Sequence, residues 1–568
     1  MKRTAFLLLL VLFFSIQTVS AETNWVQQFL GRYRPAPIPS APPTPADSMQ
    51  TLVQNGAIPL TTAEVVHLLL VNNRDLIVNR LAPLSSSYSV ETFFRPFEPN
   101  IHFGASVDRT KSPSRSQLIG APALNQLTHN ITVGVDQTLE TGLAYSADFT
   151  MNRASSNSSF NLFNPSWAGS TTFAMTQSFL RNFGRNINRR QIRIAQNNEK
   201  ISEIQFETQL ITLISQAEES YWDLVFNRDN ISVKRRALEL AMKTQHDNET
   251  QVTVGSLAPI ELVQSEAEVA TRREDLITAQ HTSQQLEDQV KKIISNSTDP
   301  GLVLARLDPT QAVADPSDQD LLPIEEGIRV ALENRPEMRQ TGYEIANRDV
   351  DVQFTKNQML PSLDVTAKYT QSGLGGTRTI SSGLGSAVVQ VVPGGVGDVF
   401  TQLFGLDFPG YTLGFNVQIP ISNRAAKADY SRAITEQKTA NLRKDALAQQ
   451  IALEVRNAYT QVDLNRARIE TARVAHQLAI RRLDAEQKKF ELGTSTVRFV
   501  LEEQRNLAVA QSNELQALVD FTKAKNNLDR AVGKTLEVQR IRVEDALSGN
   551  LQSPKRIPGT PSQARATP

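Results

Sequence analysis

The 568-residue sequence contains no cysteine, and this absence removes several kinds of site at once. Without thiols the chain can form no disulfide, no zinc site with cysteine ligands and no cysteine-based redox centre. It also lacks an N-terminal cysteine that could carry a lipid anchor. The six histidines do not show the close spacing of metal-ligand pairs. We therefore predict no metal, no other cofactor and no catalytic activity for this chain.

The sequence also lacks an excess of charge of either sign, because 59 basic residues balance 59 acidic ones. Binding of nucleic acid through overall charge is therefore not indicated. The segment Gly533-Lys534-Thr535 resembles the end of a phosphate-binding loop, but that motif needs glycine at position 528, which is Leu528. Since the chain offers no nucleotide site, any energy for transport would have to come from a partner.

Long apolar runs are absent except at the N-terminus, where residues 1–21 have the pattern of a secretory signal peptide. Lys2 and Arg3 precede the apolar run 5–16, and small residues lead to a predicted cleavage after Ala21. An uncleaved anchor helix is the alternative, but the run is shorter than the ~20 residues that span a bilayer. If the chain crosses a membrane, we expect it to do so with strands.

Proline and acidic residues mark the boundaries of the remaining segments. Six prolines within residues 22–56 indicate an extended, flexible periplasmic tether. The acidic, proline-containing segment 308–320 is predicted to link two larger parts, which span 57–307 and 321–535. A proline-containing C-terminal tail, 536–568, follows them.

The two larger parts repeat the same order of elements: a short helix, strands, a very long helix and a second helix. Residues 99–105 correspond to residues 361–367, and Tyr221 corresponds to Tyr459, which lies 238 positions later. A period near 250 residues is too long for a solenoid unit. We interpret the pattern as a duplicated half-domain whose copies pack side by side.

The strands of both halves alternate apolar and polar residues. In the first half one face carries Ile101, Phe103, Ala105 and Val107, and the corresponding face of the second half carries Leu363, Val365, Ala367 and Tyr369. Such alternation suits an outer-membrane barrel and also a soluble, half-buried sheet. A glycine-rich loop is predicted over residues 372–409. An extra first-half hairpin within residues 130–152 has no counterpart, and its place stays open.

Two helices of about 100 Å are the clearest structural prediction, because residues 185–251 and 424–490 contain neither proline nor glycine. Spacings that alternate between four and three form a coiled-coil seam of Leu210, Ile214, Ala217, Tyr221, Leu224, Arg228, Ile231, Arg235, Leu238 and Met242. The seam recurs 238 residues later. The seam arginines of both copies, Arg228, Arg235, Arg466 and Arg473, are expected to make interhelical ion pairs. A second stripe within residues 464–478 indicates a neighbour on another side.

Together these features resemble the TolC family of outer-membrane efflux proteins over residues 57–535. The most specific matches are Asn334-Arg335-Pro336-Glu337, Met359-Leu360-Pro361-Ser362-Leu363 and Phe490-Glu491-Leu492-Gly493-Thr494. The resemblance implies a mixed fold, a membrane β-barrel plus a long α-helical coiled-coil tunnel, that closes only as a homotrimer. Each protomer would give four strands to a twelve-stranded barrel in the outer membrane of a Gram-negative-type bacterium, with the tunnel in the periplasm.

Family members ring the closed periplasmic end of the tunnel with acidic residues. The two corresponding positions here are Phe499 and Glu502, and the first half places Glu261 opposite Phe499. Phe499 departs from the acidic pattern, so the implied pore constriction rests on Glu502 and Glu261. Ser495 stands where some members have a basic residue, which leaves the salt bridge of those members open. Both glutamates could instead lie on ordinary solvated helix faces.

Further roles concern the turns and the seam. Gly255 and Gly493 are predicted to end the long helices in left-handed turns. Together with Phe490, they would mark hairpin tips that contact a periplasmic adaptor. Tyr221 and Tyr459 are predicted to lie in the tunnel-wall seam with their hydroxyls at a polar edge.

The sequence thus predicts a passive outer-membrane exit channel of a tripartite efflux system. It would conduct small molecules from an inner-membrane transporter of RND or ABC type through a periplasmic adaptor, a membrane fusion protein. Its other partners would be further copies of the chain and outer-membrane lipid. The outer-membrane component of a type I protein secretion system is the alternative with the same fold. A soluble periplasmic coiled-coil or adaptor protein is the alternative from another class. The substrate and the pump stay open.

Overall fold

The computed structural model describes residues 31, 33–34, 56–114, 119–158, 161–295, 304–313, 315, 322–381 and 388–549. The predicted signal peptide and almost the whole predicted tether lie outside these residues. Contacts divide the chain into two compact units. The sheet unit contains Ser87–Asn197 and Ile345–Thr439. The described part of the helical unit lies within residues 56–86, 198–344 and 440–549.

The elements follow in chain order. The strands are β1 (Ala57–Leu60), β2 (Asn100–Pro113), β3 (Ala123–Thr138), β4 (Leu143–Ser156), β5 (Phe163–Ser178), β6 (Arg306–Pro309), β7 (Ser362–Ser381), β8 (Val388–Val392) and β9 (Phe408–Gln418). The helices are α1 (Thr62–Asn72), α2 (Arg74–Thr92), α3 (Arg185–Asn188), α4 (Arg190–Thr253), α5 (Pro259–Ile294), α6 (Ile324–Asn334), α7 (Pro336–Gln358), α8 (Val396–Gly405), α9 (Arg424–Glu491), α10 (Val497–Val532), α11 (Thr535–Val538) and α12 (Val543–Ser548). Within the described ranges, every helix is too short or too polar to cross a membrane.

The sheet unit is built on one antiparallel sheet with the strand order β2-β3-β4-β5-β7-β9. The short strand β8 pairs with the C-terminal end of β7. The chain therefore supplies six long strands, whereas the family resemblance implied four. The additional pair is the hairpin of residues 130–152, which lies in β3 and β4 and is inserted between β2 and β5.

Alternating side chains give this sheet an apolar face and a polar face. On the apolar face, Phe103 of β2 lies beside Val133 of β3, which lies beside Phe149 of β4. The polar face carries mainly serine, threonine, asparagine and aspartate. On the two outer strands, Phe103 is 72% exposed and Phe415 is 78% exposed. The apolar face of a single chain is therefore largely uncovered at its edges.

The predicted glycine-rich loop over residues 372–409 is wrong for most of that segment. β7 and β8 occupy its first part, and α8 then packs on the apolar face through the buried side chains of Val399 and Leu403. A Cβ atom on Gly373 would lie 2.7 Å from the backbone oxygen of Val399. The glycines are thus needed for the close approach of a helix to a strand.

Local signals in the sequence set the starts of several helices. The hydroxyl of Thr61 accepts a hydrogen bond from the Glu64 amide at 3.3 Å, and the Glu64 carboxylate accepts one from the Thr61 amide at 2.9 Å. This reciprocal pair is a capping box at the start of α1. Pro259 and Pro336 begin α5 and α7, where a missing amide hydrogen costs nothing.

The two long helices confirm most of the sequence prediction. α9 has 68 residues and α4 has 64, or about 100 Å each at 1.5 Å per residue. α9 begins at the predicted residue and ends one position later than predicted. The first helix is instead interrupted at Arg189, whose ψ angle of 11° lies outside the α-helical range. The short helix α3 therefore precedes α4.

The core of the helical unit consists of two hydrophobic clusters, one for each half. The first contains Leu210, Ile214, Ala217, Tyr221 and Leu224 of α4, packed with apolar residues of β1, α1, the end of α5 and β6. The second contains Ile451, Val455, Tyr459, Val462 and Ile469 of α9 with Ala517, Phe521, Ala524 and Leu528 of α10. The central part of the predicted seam is therefore buried in both halves.

Further along both helices, burial leaves the predicted seam positions. Val233 and Ala241 are buried, whereas Met242 is 48% exposed. In α9, Leu483 is buried and Ile480 is 47% exposed. A straight α-helix drifts by ~20° per heptad from a strict seven-residue repeat, so the buried stripe passes to neighbouring positions.

Parts of the predicted linker and tail belong to packed structure. β6 pairs in parallel with β1, and it includes the first residues of the predicted linker. Ala546 of α12 is fully buried in the first cluster, and Leu536 and Ile541 pack against that cluster. The sequence prediction placed residues 308–309 of β6, and the tail residues from Leu536 onward, outside the two halves because prolines and charges lie close by.

Candidate functional site

Glycine turns close the two long hairpins of the helical unit. Gly255 has a φ angle of +79° and Gly493 one of +74°, in the left-handed region that side chains disfavour. The Gly493 amide donates to the Phe490 carbonyl at 2.9 Å, and the Gly255 amide donates to the Val252 carbonyl at 3.0 Å. A Cβ atom on either glycine would have free space around it, so the backbone conformation is what requires glycine.

The second tip holds a carboxylate with a hydroxyl and an ammonium group. The Ser495 hydroxyl donates a short hydrogen bond to Glu486, and Lys489 Nζ lies 2.9 Å from the same carboxylate. The hydrogen bond from Ser495, together with Lys489, lowers the pKa of Glu486. Serine thus replaces the basic residue of some family members with a neutral donor, a contact that the sequence did not predict.

The two predicted constriction residues have different surroundings. Glu261 lies in the first turn of α5, and its Oε2 atom is buried without a hydrogen-bond partner in the described structure. Glu502 is exposed on α10 and makes no hydrogen bond or ion pair with any described residue. Asn248, also near the first tip, is fully buried with both side-chain polar atoms unpartnered by described groups. A single chain therefore leaves polar groups near the tips unsatisfied.

A buried group of charges joins the helices of the two halves. The Arg272 guanidinium lies 2.6 Å from the Glu268 carboxylate and 3.0 Å from that of Asp275. Arg505 of α10 lies 2.7 Å from Glu268, and Lys234 of α4 lies 3.4 Å from Asp275. The side chains of Glu268 and Arg272 are each 7% exposed. The spacings of four and three residues within α5 were the available sequence signal.

The two seam tyrosines make equivalent contacts in the two halves. Tyr221 is fully buried, and its hydroxyl donates to the Leu60 carbonyl at 3.1 Å, directly before α1. Tyr459 is 6% exposed, and its hydroxyl donates to the Leu322 carbonyl at 2.8 Å, directly before α6. Burial raises the pKa of Tyr221 to about 12. Each tyrosine thus holds the segment that leads into the first helix of its half.

The segment between α6 and α7 forms one wall of a polar groove. The Arg335 guanidinium lies 2.9 Å from the Glu337 carboxylate and 2.5 Å from that of Glu454 on α9. The groove has a volume of about 760 Å³ and is lined by residues of α4, α7, α9 and α10. Arg335 and Glu337 of the motif Asn334-Arg335-Pro336-Glu337 thus belong to an ion-pair network that reaches α9.

The seam arginines make only part of the expected interhelical ion pairs. Arg473 lies 3.6 Å from Glu514 of α10 and 2.7 Å from Asp315. His476 Nδ1 lies 2.6 Å from the Glu514 carboxylate. Arg228 instead pairs with its neighbour Asp229 on the same helix, at 2.9 Å. The expectation is thus confirmed for Arg473 and wrong for Arg228.

Glu218 is a buried carboxyl group in the helical unit, only 4% exposed and hydrogen-bonded to Gln539. Burial, with a smaller contribution from Asp529, raises its pKa to about 7. The folded state therefore binds a proton more tightly than the unfolded state, so stability falls as pH rises from about 4.5 to about 7. We expect Glu218→Gln to raise the free energy of unfolding at pH 8 by up to about 3 kcal/mol.

The measurement is the unfolding temperature as a function of pH, followed by circular dichroism in mild detergent. Glu218→Gln should flatten the profile between pH 4.5 and pH 7. Glu239→Gln, on an exposed position of the same helix, should keep the wild-type profile because it keeps Glu218. Equal profiles for wild type and Glu218→Gln would show that the buried carboxyl does not titrate in this range.

Comparison with protein families and curated proteins identifies related sequences. The family model described as outer membrane efflux protein matches residues 327–534. The pyoverdine export outer membrane protein OpmQ of Pseudomonas aeruginosa is 25% identical over 337 residues, which are 59% of this chain and 64% of OpmQ. The alkaline protease secretion protein AprF of the same organism is 27% identical over 132 residues, which are 23% of this chain and 27% of AprF. The matched parts thus span less than two thirds of either relative.

Solved structures share the fold over most of the chain. The outer membrane channel CmeC of Campylobacter jejuni has a TM-score of 0.59 at 17% identity, covering 86% of this chain and 88% of CmeC. CusC has a TM-score of 0.59 at 15% identity, covering 88% of this chain and 99% of CusC. VceC of Vibrio cholerae has a TM-score of 0.58 at 14% identity, covering 83% and 96%. The family model thus identifies residues 327–534 as a match to the outer membrane efflux proteins, and the solved structures show that the chain has the fold of these outer-membrane channels.

Proposed function

We propose that the protein is a passive exit channel of a tripartite efflux system, assembled from three copies of the chain. It conducts small molecules from an inner-membrane transporter of RND or ABC type, through a periplasmic adaptor, to the exterior. The observation that carries this proposal is a sheet with one apolar face, one polar face and two free edges, in the same chain as two long helical hairpins. Passage through such a channel needs no catalytic group.

The free edges support assembly from several copies. β2 and β9 each pair on one side only within the described residues, and a sheet edge in lipid would leave backbone groups without hydrogen bonds. On α9, the second predicted stripe is also uncovered, with Leu464 50%, Val474 47% and Leu478 47% exposed. A neighbouring copy that covers this stripe would complete the wall of the tunnel in the periplasm.

The hairpin tips support a contact with an adaptor. Val254 is 73% exposed and Leu492 is 79% exposed, each directly before the glycine of its tip. The two tips therefore present the same apolar feature beside the same turn. An adaptor of helical hairpins could cover these side chains, and the family's tip residues Gly255, Phe490 and Gly493 would set the shape of that contact.

Purification in mild detergent tests the proposal. We expect a trimer by native mass and cross-linking, which dissociates on heating and forms ion-conducting pores in planar bilayers. A stable monomer, or release of the protein by osmotic shock, would favour the soluble periplasmic alternative.

The effect of gene deletion on export distinguishes a channel for small-molecule efflux from a channel for protein secretion. We favour small molecules because the alignment with the pyoverdine export protein covers more of this chain than that with the protease secretion protein. Loss of a secreted protein from the medium, with unchanged small-molecule efflux, would establish protein secretion instead.

Glu502 should face the pore axis near the periplasmic end and form an acidic ring with its copies in the trimer. It lies nine residues after Gly493 and five residues after Val497, the first residue of α10, which is about 8 Å along that helix. Glu502→Gln should therefore lower the cation preference and weaken the block by multivalent cations in planar-bilayer recordings. Glu261→Gln should do less, because the Glu261 carboxylate is partly buried. Wild-type selectivity of the Glu502→Gln trimer would return Glu502 to a solvated helix face.

A further inference from the structure

We propose that three copies close a barrel of eighteen strands, and that the inserted hairpin β3–β4 sets the width of the exit. This inference rests on the proposed trimeric channel and goes beyond it, because the family resemblance implies twelve strands. The surface involved is the pair of free edges on β2 and β9, and the partner of each edge is a second copy of this chain.

The hairpin is a full member of the sheet. Pairing of β2 with β3 runs without a shift from Asn100↔Asp136 to Pro113↔Ala123. Pairing of β4 with β5 runs without a shift from Leu143↔Gln177 to Ala154↔Ser166. A plug or a loose flap would leave β2 free to pair directly with β5. The continuous ladders instead separate β2 from β5 by two strands along their whole length.

The two faces of the sheet continue across the hairpin. Asn130 of β3 donates to Asp108 of β2 at 3.2 Å, and Asn152 of β4 donates to Asn130 at 2.5 Å. His102 of β2 lies 3.4 Å from Asp136 and 3.2 Å from Asp148. Polar side chains of three neighbouring strands therefore face the same side and bind one another. The hairpin thus continues both the apolar face and the polar face of β2.

The two free sheet edges allow successive copies to pair head to tail and so to close a ring. An even number of antiparallel strands makes β2 and β9 run in opposite directions, so β9 can pair with β2 of the next copy in the same antiparallel manner. Their lengths, 14 and 11 residues, allow a ladder over most of either strand. Repeating one heterologous contact by rotation closes a ring and removes every free edge.

Barrel diameter grows roughly linearly with strand number, so eighteen strands give a barrel about 1.5 times as wide as twelve. Barrels of 16–18 strands leave an aqueous channel, whereas side chains nearly fill the smallest ones. A wide barrel of this kind would place the narrowest part of the path in the helical tunnel and not in the membrane.

Two measurements test the inference. Electron microscopy of the trimer in nanodiscs should resolve eighteen strands, and a barrel of twelve would overturn the proposal. A variant that lacks β3 and β4 and joins β2 to β5 by a short turn should form a barrel narrower by about one third. In bilayers, polymers added on the exterior side should enter the barrel of this variant only up to a smaller size than they enter the wild-type barrel. An unchanged exclusion limit would also overturn the proposal.

Cysteine labelling keeps the proposal testable if the deletion variant does not fold. The chain has no native cysteine, so each introduced thiol is unique. In vesicles, a membrane-impermeant maleimide should label Thr132→Cys on the polar face of β3 but not Val133→Cys on its apolar face. On β2, His102→Cys and Phe103→Cys are the matched control pair, because β2 belongs to the wall with or without the hairpin.

The outcomes separate this inference from the proposed function. Equal labelling of both β3 positions, with alternation kept on β2, would show that the hairpin stands away from the wall and would overturn the inference alone. Absence of a trimer and of alternation on β2 would overturn the proposed channel itself.

Discussion

Tyr221→Asp should prevent stable folding of the first half of the helical unit. The ring is fully buried in the first core cluster and meets Trp222 edge to face at 5.4 Å. Removing a buried aromatic side chain costs about 3–5 kcal/mol, and a buried carboxylate adds a desolvation penalty. We expect loss of the trimer, measured by gel mobility before and after heating, and strong aggregation or degradation in cells.

Milder variants keep this prediction interpretable if Tyr221→Asp is not recovered. Tyr221→Phe retains the ring but leaves the Leu60 carbonyl and the Gln311 amide without the hydroxyl, at a cost of about 1–3 kcal/mol. Met242→Asp is the matched control, because Met242 occupies a predicted seam position on the same helix but is 48% exposed. A larger loss for Met242→Asp than for Tyr221→Phe would show that the seam runs as the sequence predicted it.

Arg272→Ala should destabilise the junction between the two halves, by up to about 3–5 kcal/mol, because it removes the buried cation that the Glu268 and Asp275 carboxylates share. Glu268 would keep only the partly exposed Arg505, and Asp275 only Lys234 at 3.4 Å. We expect a lower unfolding temperature by circular dichroism and faster cleavage of the α5–α10 region by protease.

A neighbouring arginine provides the control for this effect. Arg273→Ala removes an equal charge from an exposed position of the same helix and should shift the unfolding temperature little. Combining Arg272→Met with Glu268→Gln should recover part of the lost stability, because neither position then carries a buried charge. Equal melting of Arg272→Ala and Arg273→Ala would contradict a structural role for the cluster.

Much of the helical unit could be predicted because its signals are local. Absence of proline and glycine predicted the long helices, and a single glycine predicted each tip, since φ angles of +79° and +74° disfavour other residues. The seam was predicted only over its central turns, because a fixed seven-residue repeat cannot follow a straight helix. Sequence spacing also could not show that Arg505 reaches Glu268 across 237 residues.

The sheet unit was harder to predict because its signals are not local. Residues 130–152 showed clear alternation, yet alternation states that a strand has two faces and not which strand is its neighbour. Gly373 was read as part of a loop, since nothing in the sequence near it shows that Val399 will pack against its backbone. Likewise, sequence spacing did not show whether Glu261 and Glu502 face a pore axis, because in the proposed trimer that axis would lie between copies.

Helix α8 covers part of the apolar face of the sheet. Phe400 stacks on Phe149 of β4 at 6.0 Å, and a groove of about 240 Å³ with aromatic walls remains between helix and sheet. In the proposed trimer the apolar face would meet the bilayer, so acyl chains would contact a ridge and a recess at α8 and a smooth strand surface elsewhere. The annulus of lipid around the assembled protein would then be uneven, with ordered tails held at three equivalent recesses and ordinary mobile lipid between them.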